Sequence, residues 1–363
     1  MAVWQSVSRT ARQRAQRPPL SRPRQAAGMA LAMLAGVMAL HSSAWAEQAG
    51  GMSQDPAAQG SVQLLSQIQK AARKQDYAGV FIYQQGEMMQ SSRVVHVIDG
   101  TGERERLEIL DGQPREYLRH NDDVQCLLPE SKTVLIEPRR GDRFPGLLLG
   151  NPAELARHYD IRASDKLHRV ADRQCRIITI EPRDQLRYGY RLCADTGTHL
   201  LLKAQTLDSS RKIVEQVAFT SLRLGAEVDP SALNSRWNTR DWKIIEASMK
   251  PVDLASQGWR IPAPDGFTPV MQVARAMGQA KVSQLVLSDG LAAISVFIEP
   301  YDSQRHNHPP AGLARRGAIN IYGTRVADFW LTALGEVPIA TLERLAGAIE
   351  YVPPAGGAAQ QTQ

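Results

Sequence analysis

The side chains in this 363-residue chain that first invite chemistry are three cysteines, Cys126, Cys175 and Cys193, and the pair His306 and His308. A His-x-His step in an extended segment puts two imidazoles on one side, which is how a zinc or copper site can begin. Such a metal needs further ligands in defined geometry. None stands nearby, and Pro309-Pro310 marks a solvated loop, so the reading is a surface loop and no metal. No C-x-x-C occurs. Cys175 and Cys193 lie on successive strands of one hairpin. If Glu181 faces Arg187 across a turn at Arg183-Asp184-Gln185, the same register sets Cys175 opposite Cys193. Directly opposed residues have Cβ atoms about 4.5–5.5 Å apart, close to bridging distance. Two buried thiols, or a bridge from Cys126 to Cys175, compete with this. The expectation is a Cys175–Cys193 bond with Cys126 as the remaining thiol.

Catalytic constellations are missing. There is no G-x-S-x-G, no H-E-x-x-H and no phosphate-binding loop. Gly100-Thr101-Gly102 opens like a dinucleotide fingerprint, but Glu105 stands where the third glycine belongs, and the segment links strands, so it reads as a turn. The remaining histidines are scattered, without a Ser, Cys or Asp in triad order. The chain is expected not to be an enzyme and to need no cofactor. Ligand binding has better support. Phe144, Leu147, Leu148 and Leu149 form an apolar run that could guard a cavity, and Arg139, Arg140 and Arg143 before it could meet an anionic head group. The competing reading is that the leucines plug the sheet as core.

The elements that must position these groups begin after a leader. Residues 1–25 carry six arginines and no acid, Ala26 to Leu40 is apolar, and Ala44-Trp45-Ala46 precedes Glu47. Such a tripartite pattern reads as a secretory signal peptide, 1–46, with cleavage after Ala46 and an exported mature chain. The whole chain has 43 basic and 37 acidic side chains. Removing six arginines leaves 37 against 37, a neutral protein without the basic stripe of a nucleic-acid binder.

Residues 47–60 read as a disordered lead-in. A helix is expected from Ser61, with Leu65, Ile68 and Ala72 on one face. From Gly79 to Leu224 short strands follow one another, separated by turns such as Asp111-Gly112 and Asn121-Asp122. This predicts an antiparallel meander, highly curved or an incomplete barrel, over 61–226, interrupted by a short helix starting near Pro152. Residues 227–257 read as an irregular linker. Residues 258–352 read as a small α+β domain: a helix capped by Thr268-Pro269 with Val270, Val273, Ala274 and Met277 on one face, a hairpin at Asp289-Gly290, two more strands, and a closing helix near Pro338. Residues 353–363 read as a disordered tail.

Several stretches carry a resemblance. YAGVFIYQQGEMMQSSRVVHVIDGTGERERLEILDGQPREYLRHNDDVQCLLP, DQLRYGYRLCADTGTHLLLKAQTLD, GWRIPAPDGF, LSDGLAAISVFIE and ALGEVP together resemble the MucB/RseB family across residues 61 to 352. Cys193-Ala194 departs from the Trp-Leu expected there. The resemblance implies an α+β protein. Its N-terminal part would be a LolA-like curved antiparallel half-barrel, with helices on the concave side and an apolar cavity. A smaller C-terminal α+β domain would follow. It also implies a periplasmic regulator that binds the periplasmic segment of a single-span anti-sigma factor and shields it from site-1 proteolysis. Acyl chains or lipopolysaccharide would release it. No nucleic acid is implied as a partner, and a homo-oligomer is compatible with it. Trp259 and Phe267, near the domain junction, are expected to serve partner binding. A periplasmic lipid or lipoprotein carrier is the alternative, and a hydrolase with an unrecognised site a more distant one.

Overall fold

The computed structural model describes residues 56–138, 144–145, 150–246, 249–277, 280–303 and 312–354. The leader, the cleavage site and the end of the tail lie outside them. The first helix, α1 (Pro56–Lys74), starts five residues before Ser61, inside the expected disordered lead-in. Proline is tolerated in a first turn, and Ala57, Ala58 and Gln59 are good helix formers. Leu65, Ile68 and Ala72 are buried together as the spacing requires.

Two meanders build the large sheet. The first runs β1 (Tyr77–Gln85), β2 (Met88–Asp99), β3 (Gly102–Ile109), β4 (Arg115–His120), β5 (Asp123–Leu128) and β6 (Thr133–Pro138). After α2 (Pro152–His158), the second runs β7 (Tyr159–Val170), β8 (Arg173–Pro182), β9 (Gly189–Asp195), β10 (Leu201–Leu207) and β11 (Ile213–Leu224). Asn151 caps α2, its side chain accepting from the Ala153 N–H, with Pro152 in the first turn. β1 pairs antiparallel with β11 and joins the two meanders. The sheet stays open, with β7 at one end of the strand order. It curls so far that β7 and β11, with three strands between them, touch, while α1 packs against β7 and β10. The core lies between helix and sheet. It contains Leu65, Tyr77, Phe81, Leu155, Ile178, Leu192 and Phe219. This is the open half-barrel of the expected fold class.

The segment 227–257 is not an irregular linker. β12 (Lys243–Glu246) adds to the large sheet parallel to β6, and β13 (Met249–Pro251) adds to a second sheet beside β15. Val228 and Leu233 also cover Val95 and Val97 of β2. The partners of these short strands are far away in sequence, so no local pattern announces them. After the short β14 (Trp259–Arg260), the second sheet continues with β15 (Thr268–Met277), β16 (Ala280–Ser288), β17 (Ala293–Pro300), β18 (Gly312–Arg316), β19 (Ile319–Val326) and β20 (Phe329–Gly335). It is closed by α3 (Ile339–Gly347) and β21 (Glu350–Tyr351). β14 and β21 form a separate pair; the other strands order as β13-β15-β16-β17-β20-β19-β18.

Thr268–Met277 is therefore a strand, where the spacing predicted a helix. Val270 is 60% exposed, while Val273 and Ala274, neighbours in sequence, are both buried. A single helical stripe does not account for that pattern. The strand pairs along its length with β16, and Pro269 is accommodated at a bulge between Pro269 and Met271. α3 starts where the closing helix was expected and lays Leu342, Leu345 and Ala346 on a second core with Leu287, Ile294 and Leu331.

Candidate ligand groove and the joint beside it

A groove of about 890 Å³ lies among α1, α2 and the strands β7 to β9. That is within the range of ligand cavities, roughly 300–1,000 Å³. Val62 and Leu64 of α1, Ala156 of α2, Tyr159 and Ile161 of β7 and Ala194 of β9 give it apolar walls. Arg162, Arg176 and Arg183 stand among the lining residues. Two of them are matched by carboxylates: Arg183 meets Asp160 at 2.9 Å, and Arg162 lies 3.6 Å from Asp160 and 3.9 Å from Glu181. Arg176 is exposed and has no carboxylate partner among the described residues. Asp195 is held by Arg173 at 2.7 Å and accepts from the N–H groups of Gly197 and Thr198. Burial pushes its carboxyl up, but the bonds from Arg173 and Thr198 outweigh this and keep it below the usual range. The groove can accept an apolar chain and offers a cation to an anionic group.

α2 and the start of β7 have a second face, against the C-terminal part. The turn between β16 and β17 puts Asp289 there, fully buried. Asp289 accepts from the Tyr159 hydroxyl at 2.8 Å and from Arg187 Nη1 at 2.9 Å, and its other oxygen takes the N–H groups of Leu291 and Ala292. Burial keeps the Tyr159 hydroxyl protonated well above its ordinary pKa, with Tyr190 and Asp289 adding to the rise, so it acts as a donor. Arg187 also bonds Asp184 and the Asp265 carbonyl and lies 4.9 Å over the Phe267 ring. Around this pair, Leu186 O accepts from Thr341 and the Tyr188 hydroxyl accepts from Asn320. Gly290, at φ +98°, lies so close to Gly150 that a Cβ there would sit 3.1 Å from its Cα. The Asp-Gly turn was legible; that its aspartate crosses to the other sheet was not, because Arg187 lies 102 residues earlier.

Phe144 is buried in the large core, its ring 5.3 Å from Phe81 and 5.0 Å from Phe219, and it does not line the groove. Arg139, Arg140, Arg143, Leu147, Leu148 and Leu149 lie outside the described residues, as do His306 and His308. Trp259 packs inside the small core against Phe329 and Tyr351, and Phe267 is at the joint. Cys175 and Cys193 are bonded, with Cα atoms 5.4 Å apart. The expected register is off by two: Ile177 faces Cys193 and Cys175 faces Asp195, so the bond runs diagonally. The β8–β9 connection is not a tight turn, because Asp184 to Tyr188 extend to the joint. Cys126 is buried in β5. Among the described residues no three His, Cys, Asp or Glu groups gather as metal ligands, and no helix is long and apolar enough to cross a membrane.

Comparison with known proteins supplies the context. The sequence model of the MucB/RseB N-terminal domain matches residues 60–237, and that of the MucB/RseB C-terminal domain matches 253–350. The Pseudomonas aeruginosa "Sigma factor AlgU regulatory protein MucB" is 30% identical over 299 residues, covering 78% of this chain and 89% of that protein. The Haemophilus influenzae "Sigma-E factor regulatory protein RseB" is 25% identical, covering 80% and 90%. The crystal structure of MucB in complex with MucA(peri) superposes with a TM-score of 0.63 at 28% identity, over 81% of this chain and 99% of that one. A Pseudomonas aeruginosa MucA/MucB complex gives the same TM-score over 82% and 99%. With both family domains matched in order, the chain belongs to the MucB/RseB family.

Proposed function

We propose that this protein is a periplasmic negative regulator of an envelope-stress sigma factor. It binds the periplasmic segment of a single-span anti-sigma factor, shields that segment from site-1 proteolysis, and releases it when an acyl chain or lipopolysaccharide binds. The observation that carries this reading is the likeness, over 81% and 82% of the chain, to MucB structures solved with MucA. Residues 1–46 serve as a signal peptide removed after Ala46, and a mature N-terminus at Glu47 by mass spectrometry tests this. Ordering a disordered partner segment costs roughly 2–5 kcal/mol, which keeps affinity moderate and release feasible. Partner binding uses the C-terminal part, with Phe267 and Trp259 acting through its core and the joint.

A protease-protection assay on the anti-sigma segment decides the matter. Mature protein protects, and added lipid removes protection. Residues 47–246 alone do not protect; a cut at 226 would also remove β12 and the cover over Val95. Full protection by 47–246, or indifference to lipid, overturns the two-part sensor.

The alternative, a lipid or lipoprotein carrier, is favoured by the groove alone. The lipid sits either in that groove, with Arg176 at its head group, or at an entrance formed by Arg139, Arg140, Arg143, Phe144 and Leu147 to Leu149. Each buried methylene contributes about 0.8 kcal/mol, so affinity rises with chain length. Arg176→Ala and Leu148→Asp, titrated with fluorescent fatty acids, separate the two locations. A protein that binds chains but never protects the segment is a carrier.

A further inference from the structure

Tyr159 belongs to two sites at once. It is among the residues that line the groove, beside Ala156 and Ile161. Its hydroxyl donates to Asp289, which comes from the other sheet. The same doubling holds for α2 as a whole. Ala156 faces the groove, whereas Leu155 reaches toward Gly290 on the hairpin tip: one of its methyls would lie 3.2 Å from a Cβ there. At the C-terminal end of α2, the His158 ring occupies the space that a Cβ on Gly266 would need. One helical turn and the first residue of β7 thus touch both the apolar groove and the hairpin tip.

We propose that Tyr159 is the positioning residue through which occupancy of the groove is read by the C-terminal part. The inference rests on the reading of the groove as an acyl-chain site. A ligand shifts an equilibrium between two arrangements only if it binds one better than the other. An apolar chain lying against the Tyr159 ring prefers the arrangement in which the ring turns to cover it. That turn withdraws the hydroxyl from Asp289. Asp289 is then left with Arg187, on whose guanidinium Asp184 and the Asp265 carbonyl also draw, and the hairpin tip keeps only the Gly150 N–H bond to the Gly290 carbonyl beside it. The joint loosens on the side where the β16–β17 hairpin meets α2. The contacts of Thr341 and Asn320 with the β8–β9 loop remain, so the C-terminal part pivots about that loop and does not detach.

Tyr159→Phe separates the two roles, because it keeps the ring in the groove and deletes the bond to Asp289. The measurement is the distance between spin labels at Lys166→Cys and Lys281→Cys, exposed positions on the two sheets, in the mature full-length protein. Palmitate is the probe, and its binding is titrated in parallel. Expected is that palmitate shifts the label distance in the otherwise unaltered protein. In Tyr159→Phe, the distance already matches the ligand-bound value and does not move further, and palmitate binds more tightly because the arrangement it prefers is already populated. Ala156→Trp, which fills the groove from α2, should mimic the ligand. A Tyr159→Phe protein whose distance responds to palmitate as before overturns the inference and leaves the groove reading intact. A protein with native Tyr159 that does not bind palmitate removes the groove reading, and this inference with it.

Discussion

Two clusters of buried charge fasten late parts of the chain to the large sheet, and they are built differently. At the joint, Asp289 meets Arg187 with both side chains wholly buried. On the opposite face, Arg106 bridges Glu108 at 3.2 Å and Glu116 at 2.7 Å, and Arg93 and Arg236 add to Glu108 at 2.7 and 3.4 Å. Arg93 and Arg236 remain about half exposed, and Arg106 also reaches the Ala232 carbonyl of the segment that covers β2. The second cluster is redundant and wet at its rim. The first has a single guanidinium, Arg187, shared between the buried Asp289 and the partly exposed Asp184, with one hydroxyl and no spare cation among the described residues. A redundant cluster suits a permanent fastening; a minimal one suits a contact that has to give way.

The sharpest way to break this contrast is Asp289→Ala. It leaves the Arg187 guanidinium buried without its wholly buried carboxylate partner and should cost about 3–5 kcal/mol in urea unfolding. Arg236→Ala at the other cluster should cost about 1 kcal/mol or less, because that side chain is mostly solvated. Equal losses would mean that the two fastenings do not differ.

Between these lies the Cys175–Cys193 bond. Replacing both cysteines by alanine should cost about 3 kcal/mol in the chain-entropy account for a loop of this length. It should leave the spin-label distance across the joint unchanged, since the loop from Asp184 to Tyr188 is held by the C-terminal part. Non-reducing peptide mapping that finds Cys126 in the bond would overturn the pairing.

How far the sequence discloses all this follows from the range of the interactions. The meanders, the Asp289-Gly290 turn, α2 at Pro152 and α3 after Pro338 are written in local alternation, caps and turn residues. Residues 268–277 mislead because Val270, Val273, Ala274 and Met277 satisfy a helical spacing, while pairing with β16 overrides it. β12 and β13 are too short to show a period. The joint has no local signature: Tyr159, Arg187 and Asp289 become neighbours only when both sheets exist. The hairpin register slips by two for the same reason, since the residues counted as a tight turn belong to a contact with another part of the chain. Of the groove, no lining residue was singled out for ligand binding from the sequence; the arginines read there as head-group partners were those before Phe144.

The smallest expected effect concerns acid and the end of α1, away from both clusters. His96 of β2 is fully buried, stacked on Tyr77 at 4.6 Å, with Nδ1 2.8 Å from the Gln75 carbonyl. That carbonyl only accepts, so Nδ1 carries the hydrogen, and Nε2 is left bare with no partner. Burial lowers the pKa of His96; the bond to Gln75 and the carboxylates of Glu105 and Glu103 raise it, Arg119 lowers it further, and burial prevails. The unfolded chain therefore takes up this proton first. Stability from His96 is complete above the unfolded value of about 6.5 and is lost as pH falls through the lower folded value. His96→Phe keeps the stack on Tyr77 and removes the titration. Its stability should be lower than that of the unaltered protein at pH 7.5, where the bond to Gln75 is lost, and the difference should narrow at about pH 5.5. A difference that stays constant across that range would mean that His96 is charged, or neutral, in both the folded and the unfolded chain. The acid sensitivity of the protein would then have to be sought at the charge clusters themselves.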